Sequence, residues 1–182
     1  DLPLTSPPFA PAMKAAFPEI ETVTRIDMEG GGVITYAGKT LKANDIIFAD
    51  ESFFNVFGYG FLYGNAAGAL AKPQSIVITE SLASKVFGDA SKALNQTIYF
   101  GSDDGNLITG VIKDLPENTH LHFSGVRSVS SNFNTNEWQN FYLYTYIKLT
   151  KTANVALLEK KLPKFTASNI QKEMKVTQYR ME

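Results

Sequence analysis

Short stretches of alternating apolar and polar residues fill most of the chain, and helical spacing interrupts them at a few places only. The first interruption is Ser6 to Phe17, where Phe9, Met13 and Phe17 recur at i, i+4 and i+8 and predict a helix. Pro7 and Pro8 suit its first turn, which needs no N–H donors; Pro11 must fall in that turn or bend the helix, and Pro18 ends it. Ile20–Ile26 then predicts a strand, with Ile20, Thr22, Thr24 and Ile26 on one face and Val23 on the other. Gly30-Gly31-Gly32 reads as a turn into Val33–Tyr36. Past Ala37-Gly38-Lys39 a second extended run covers Thr40 to Phe48, which predicts a hairpin around Gly38. Ser52–Phe57 predicts a short helix capped by Asp50 or Ser52.

Further along, the strand Ser75–Thr79 supplies the cap for a helix Glu80–Phe87, striped by Leu82, Val86 and Phe87 and ended by a left-handed Gly88. Ile98–Phe100 and Leu107–Lys113 are extended runs around a polar turn, Ser102-Asp103-Asp104-Gly105-Asn106. Leu115-Pro116-Glu117-Asn118 breaks the chain, and His120–Phe123 resumes a short strand. Phe141 to Leu149 is the clearest strand: Phe141, Leu143, Thr145, Ile147 and Leu149 alternate with Tyr142, Tyr144, Tyr146 and Lys148. Both faces are apolar or amphipathic, so it belongs inside a sheet with helices over one side. A helix from Thr152 to Gln171 follows, with Leu158, Leu162, Phe165 and Asn169 or Ile170 at helical spacing. Pro163 predicts a kink or break at Leu162, and Met174–Tyr179 a final short strand. Short strands mixed with about three helices predict an α+β fold.

Composition narrows the function classes. Of 182 residues, 44% are hydrophobic and 19% charged, which excludes disorder, collagen and coiled coil. The 17 basic and 18 acidic side chains nearly cancel, so no global field gathers nucleic acid. They are unevenly spread: residues 1–140 carry 9 basic and 15 acidic groups, residues 141–182 carry 8 and 3. The basic C-terminal stretch is either a solvated helix face or a surface for an acidic partner or anionic headgroups. With no Cys, disulfides, thiolate nucleophiles and Cys-ligated metals are excluded. No apolar run approaches 18 residues, and the chain begins at Asp1 without a leader-like segment. Two expectations fit that: a domain of a larger polypeptide, or a mature secreted protein.

Candidate chemistry is sparse. The triple glycine lacks the spacing of a dinucleotide or Walker loop. His120 and His122 would share one strand face, yet no third ligand stands at a telling offset. Asp103 and Asp104 lack the twelve-residue calcium-loop pattern, and no G-x-S-x-G occurs. Asn95-Gln96-Thr97 is a glycosylation tripeptide by form alone. Tyr142, Tyr144 and Tyr146 could stack bases, but no basic RNP-like pattern surrounds them. The reading is therefore no catalytic residue, no metal, no cofactor and no nucleic acid. What stands out is Phe53–Tyr63, where six of eleven side chains are aromatic. It is either core with intervening glycine turns or a docking surface, for which Phe57, Tyr59, Phe61 and Tyr63 are the candidates.

Several stretches, in order, decide between these classes: Phe17-Pro18-Glu19-Ile20-Glu21-Thr22-Val23-Thr24-Arg25; Ala49-Asp50-Glu51-Ser52-Phe53-Phe54-Asn55-Val56-Phe57 with Leu62-Tyr63-Gly64-Asn65; Ser75 to Gly88; and Ile108-Thr109-Gly110-Val111-Ile112-Lys113-Asp114-Leu115-Pro116-Glu117-Asn118-Thr119-His120. Together they resemble the extracytoplasmic core domain of MacB/FtsX-like ABC transporter permeases, Bacteroidetes type, over most of residues 15–165. One departure is Asn95, where the family usually has Gly; Asn is the other residue that tolerates left-handed geometry.

The resemblance implies a two-lobed domain of residues 1–182, a porter-like lobe plus a small Sabre-like α/β lobe inserted at about residues 75–125. It implies a periplasmic domain of an inner-membrane permease, set between its first two membrane helices. ATP would be hydrolysed by a cytoplasmic ATP-binding subunit, reached through those helices. A second permease copy and a periplasmic or outer-membrane partner would complete the assembly. The domain would then be non-catalytic, transmitting conformational change and contacting cargo during export or lipoprotein or peptide translocation. The alternative is a free-standing secreted module binding lipid, glycan or protein.

Overall fold

The computed structural model describes residues 3–101, 105–129, 133 and 137–179, with backbone alone for 170–179. In chain order the elements are β1 (Leu4–Thr5), α1 (Phe9–Ala16), β2 (Ile20–Asp27), β3 (Gly32–Tyr36), β4 (Lys39–Ala43), β5 (Ile46–Ala49), α2 (Phe53–Val56) and β6 (Phe61–Gly64). Then follow β7 (Ser75–Thr79), α3 (Glu80–Phe87), a 3-10 turn (Ala90–Lys92), β8 (Thr97–Phe100), β9 (Asn106–Ile112), β10 (Gly125–Ser128), β11 (Leu143–Leu149) and α4 (Val155–Tyr179). This is the mixed α+β fold that the periodicity predicts. The elements fall into two compact units, residues 26–133 and the flanking 1–25 with 134–182, so one unit is inserted in the other.

In the flanking unit β11 lies between β1 and β2, and β1 pairs with it antiparallel. The two helices bury Met13, Phe17 and Leu158 with Ile20, and Phe9, Val23, Ile147, Leu149, Leu162 and Phe165 pack around them. Phe165 meets Phe17 at 5.2 Å and Phe9 edge-on at 5.7 Å between ring centroids. α1 starts at Phe9, three residues later than the periodicity suggests, because Pro7 and Pro8 lie outside it and the Phe9 N–H bonds the Ser6 carbonyl at 3.0 Å. Pro11 therefore falls in the first turn, where no N–H is missed. The ammonium of Lys14 ties the helix end to the start of β2, donating to the carbonyls of Ile20 and Glu21 at 2.7 Å each.

Two expectations for the C-terminal segment are corrected. Of the kink or break expected at Leu162, the break does not occur: α4 runs as one helix through Pro163. Glu159, whose carbonyl loses its N–H donor, is exposed, so water can satisfy it. Leu158, Leu162 and Phe165 meanwhile hold both halves of the helix on the same core. Met174–Tyr179 continues the helix and forms no strand; adding turns to a standing helix needs no new nucleus.

In the inserted unit the order is the last two residues of β2, then β5, β10, β7, β9, β8, β3 and β4, with β6 also on β9. β5–β10 and β7–β9 are parallel, and the other pairs antiparallel. All five residues of β7 are buried, as a strand covered on both faces requires. α3 lays Leu82 and Ala83 on Ile34, Ile76, Ile78, Ile98, Phe100 and Ile108. The β3–β4 hairpin turns at Ala37 and Gly38, with φ of 48° and 77°; two positive φ values match the right-handed twist of the strands. Asn95 stands at φ 66°, so it does keep the left-handed turn.

Three further readings change here. The run Thr40–Phe48 divides into β4 and β5 at Asn44-Asp45, where the backbone of Gly31 passes so close that a Cβ would sit 2.5 Å from the Asn44 carbonyl oxygen. Of the two caps expected for α2, Asp50 or Ser52, Ser52 stands at its start but makes no side-chain cap bond to it. His120–Phe123 is not a strand; Leu121 and Phe123 are buried from a loop, and the strand is β10, five residues later. Its sequence, Gly-Val-Arg-Ser, carries too little apolar alternation to announce it. Gly125 is needed there because a Cβ would lie 2.8 Å from the Ile46 side chain. The predicted turn at Ser102–Asp104 lies outside the described residues.

Candidate functional site

The aromatic segment is built around Phe53, fully buried in α2. Its ring meets Phe54 edge-on at 5.0 Å, Phe57 at 5.0 Å, Tyr59 stacked at 5.8 Å and Phe123 edge-on at 5.7 Å. Phe54 in turn meets Phe61 at 5.0 Å. The four sequence candidates thus run from the interior outward. Phe57, Tyr59 and Phe61 are half-buried, with Phe57 and Tyr59 stacked at 5.9 Å, while Tyr63 is 38% exposed. Phe61 and Tyr63 sit on β6, which pairs antiparallel with β9 through an irregularity between them. Among the described residues β6 has no strand partner besides β9, and Tyr63 and Gly64 at its end are exposed. Gly110 on β9 makes this pairing possible, since a Cβ there would lie 2.5 Å from the Phe61 ring.

Two of the motif stretches meet in the structure. α3 begins at the end of β7, where the Thr79 hydroxyl accepts from the Leu82 N–H at 3.3 Å. A second orphan donor, the Ser81 N–H, is taken at 2.9 Å by Oδ1 of Asp114, whose Oδ2 accepts from the Ser81 hydroxyl at 2.6 Å. Asp114 comes from the motif after β9, Ser81 from the motif after β7, so one carboxylate joins them as a tertiary helix cap. Sequence reasoning did not find this bond; its signal was an Asp just past a strand with no catalytic companion.

Beside that cap lies a cleft of about 310 Å³, lined among others by Lys42, Asp45, Lys85, Asp114 and His122. Its carboxylates hold structure: Asp45 accepts from the Ser124 hydroxyl at 2.7 Å, as Asp114 does from Ser81. His122 and His120 are exposed and on no shared strand. Among the described residues no three His, Cys, Asp or Glu side chains gather as metal ligands. Elsewhere, hydrogen bonds from the Ser91 hydroxyl and backbone hold the Asp89 carboxyl below its usual range, at the head of the 3-10 turn. Burial, with Tyr144 beside it, pushes the Tyr146 hydroxyl up. Tyr142, Tyr144 and Tyr146 are all half-buried and offer no open stacking platform.

A further residue that the sequence did not single out is Arg127 on β10. Its guanidinium lies 4.2 Å above the Phe100 ring and 4.7 Å above Phe48, and donates to the Asn106 side chain at 3.1 Å. Every one of these partners is internal to the unit, so Arg127 stitches β5, β8 and β9.

Comparison with known proteins agrees with this fold. A domain of a protein described as a permease, from Porphyromonas gingivalis, superposes with a TM-score of 0.78 at 24% identity, covering 93% of this chain and 73% of that one. The periplasmic region of MacB from Actinobacillus actinomycetemcomitans superposes with a TM-score of 0.62 at 18% identity, covering 85% of this chain and 70% of that one. No curated protein matches. No described helix is long and apolar enough to cross a membrane. The MacB-like periplasmic core domain profile matches residues 2–165, and the chain belongs to that family, the periplasmic part of ABC-type permeases.

Proposed function

We propose that this domain carries ATP-driven movement from an inner-membrane permease into the periplasm and there contacts cargo or a partner, making and breaking no bonds itself. In this reading the motion originates in a cytoplasmic ATP-binding subunit, reaches the domain through membrane helices of the parent permease, and acts in a pair of permease copies. The observation that carries it is the use of the motif residues. Asp114, Gly110 and Gly88 hold a helix cap, a strand pairing and a left-handed helix end. Residues of these stretches that hold structure suit a moving part whose specificity lies on its surfaces.

The contact surface in this reading is the edge of β6 away from β9. Tyr63 presents an exposed aromatic side chain there, with the half-buried rings of Tyr59 and Phe57 behind it. An extended segment of partner or cargo can add to a free strand edge through backbone hydrogen bonds, with the aromatic side chain setting preference. The test is affinity capture of periplasmic partners by the parent permease, with transport measured after reconstitution with its ATP-binding subunit. Tyr63→Ala is expected to weaken capture and transport while leaving ATP hydrolysis and Tm unchanged. Capture and transport at wild-type levels in that variant would remove β6 from the contact surface. Transport that survives replacement of residues 1–182 by a short linker would overturn the transmission role as well.

A further inference from the structure

The flanking unit carries a groove of about 410 Å³ between the end of α1 and the middle of α4. Its apolar floor is Phe17 and Phe165, and its rim is Lys160, Lys161, Lys164 and Ser168. None of the residues lining it is acidic. Lys161 is neutralised by its ion pair with Glu19. Lys160 and Lys164 are exposed, one helical turn apart. Leu157, 53% exposed, precedes them by three and seven residues and so extends the same side of the helix with an apolar knob. An apolar floor, a cationic rim and an exposed leucine beside it match one chemistry, the boundary between anionic headgroups and acyl chains.

We propose that this face of α4 docks on an anionic phospholipid surface, with Lys160 and Lys164 on the phosphates and Leu157 and the groove floor facing the acyl boundary. The occupant follows from charge complementarity. Lysines are attracted to a negatively charged leaflet, and the Debye length confines that attraction to contact range. The inference goes beyond the transmission role and does not depend on the β6 edge.

The test is partition of the 182-residue chain onto vesicles of mixed phosphatidylglycerol and phosphatidylcholine, against pure phosphatidylcholine. Binding is expected on the anionic vesicles, falling with added salt, and K160E together with K164E is expected to lower it by about tenfold or more. The same reversal at Lys39 and Lys42, exposed on β4 of the inserted unit, is expected to change nothing. Because the chain has no Cys, a single Ser168→Cys carrying an environment-sensitive dye gives a second readout that leaves the lysines untouched. Its emission is expected to shift to the blue on anionic vesicles alone. Equal partition on neutral vesicles, reversed variants that partition as the wild type does, or a dye that reports no change on anionic vesicles would each overturn the proposal.

Discussion

At the scale of single residues, Asp114 and Gly110 are explained by what a substituted atom would leave or meet. Asp114 satisfies a backbone donor that α3 cannot satisfy itself, the Ser81 N–H, and the bond bridges 33 positions of sequence. Asp114→Ala is expected to lower stability by about 1 kcal/mol, the usual loss for a removed helix cap. Asp114→Asn keeps an acceptor and should lose less, and thermal melts of the two variants check the order. Gly110 behaves differently, because the threat there is steric. A methyl group 2.5 Å from the Phe61 ring must push that ring away from Phe54, so Gly110→Ala is expected to cost about 1–3 kcal/mol. Combining it with Phe61→Ala removes the clashing ring, so the double variant should lose less than the sum of the two single losses. Additive losses in a double-mutant cycle would show that Gly110 serves some other purpose. Asn95 was legible through the resemblance, since Asn tolerates the left-handed geometry that the family's usual Gly would adopt, and its φ of 66° agrees. Arg127 was not legible: its partners come from strands scattered through the chain, and nothing local marks an arginine that stacks on the buried ring of Phe100 and the half-buried ring of Phe48.

At the scale of elements, periodicity found those whose apolar stripe meets a core and failed where tertiary neighbours decide. The boundaries of β7 and α3 match the sequence reading residue for residue, since the cap, the stripe and the Gly88 stop agree with one another. β10 and the two-residue β1 were missed, for a strand of small or few residues exists only through its neighbours. Pro163 shows the same override in a helix. Proline in a helix interior is less favourable than alanine by about 3 kcal/mol, so Pro163→Ala should raise Tm, and an unchanged Tm would mean that the local backbone already absorbs the strain. α4 is also held electrostatically. The Lys161 ammonium, hydrogen-bonded to Oε1 of Glu19, holds that carboxyl below its ordinary value, helped by the residue's own backbone. A carboxyl whose folded pKa is depressed adds stability above its unfolded value, about 4.3, and loses that contribution as pH falls through the folded value. Glu19→Gln should therefore lower Tm at neutral pH and converge with the wild type in acid. A gap that persists in acid would assign the effect to packing instead of charge.

At the scale of the whole chain, the alternation of short strands and helices predicts an α+β fold, while an inserted lobe at about residues 75–125 is only what the resemblance implies; the compact units divide instead at 25/26 and 133/134. The reason is physical. A division is a property of contact density, and the chain crosses it at Arg25 and Ile26, before the last two residues of the continuous strand β2, where no glycine, proline or polar run marks a change. The two units differ in how they can be cut. Residues 26–133 are one continuous segment, and among the described residues its hydrophobic cluster from Ile34 through Val111 includes none outside it. The flanking unit needs both ends of the chain, since its core joins Met13 and Phe17 to Leu158. The segment 26–133 is therefore expected to fold alone, with a cooperative thermal transition and dispersed amide resonances. An equimolar mixture of 1–25 and 134–182 should remain unfolded, because association must then supply the closure that the inserted unit provides by covalent linkage. If 26–133 melts without cooperativity while the full chain melts in one step, the inserted unit depends on its flanks, and the strand that crosses the boundary, β2, is the first place to look for the dependence.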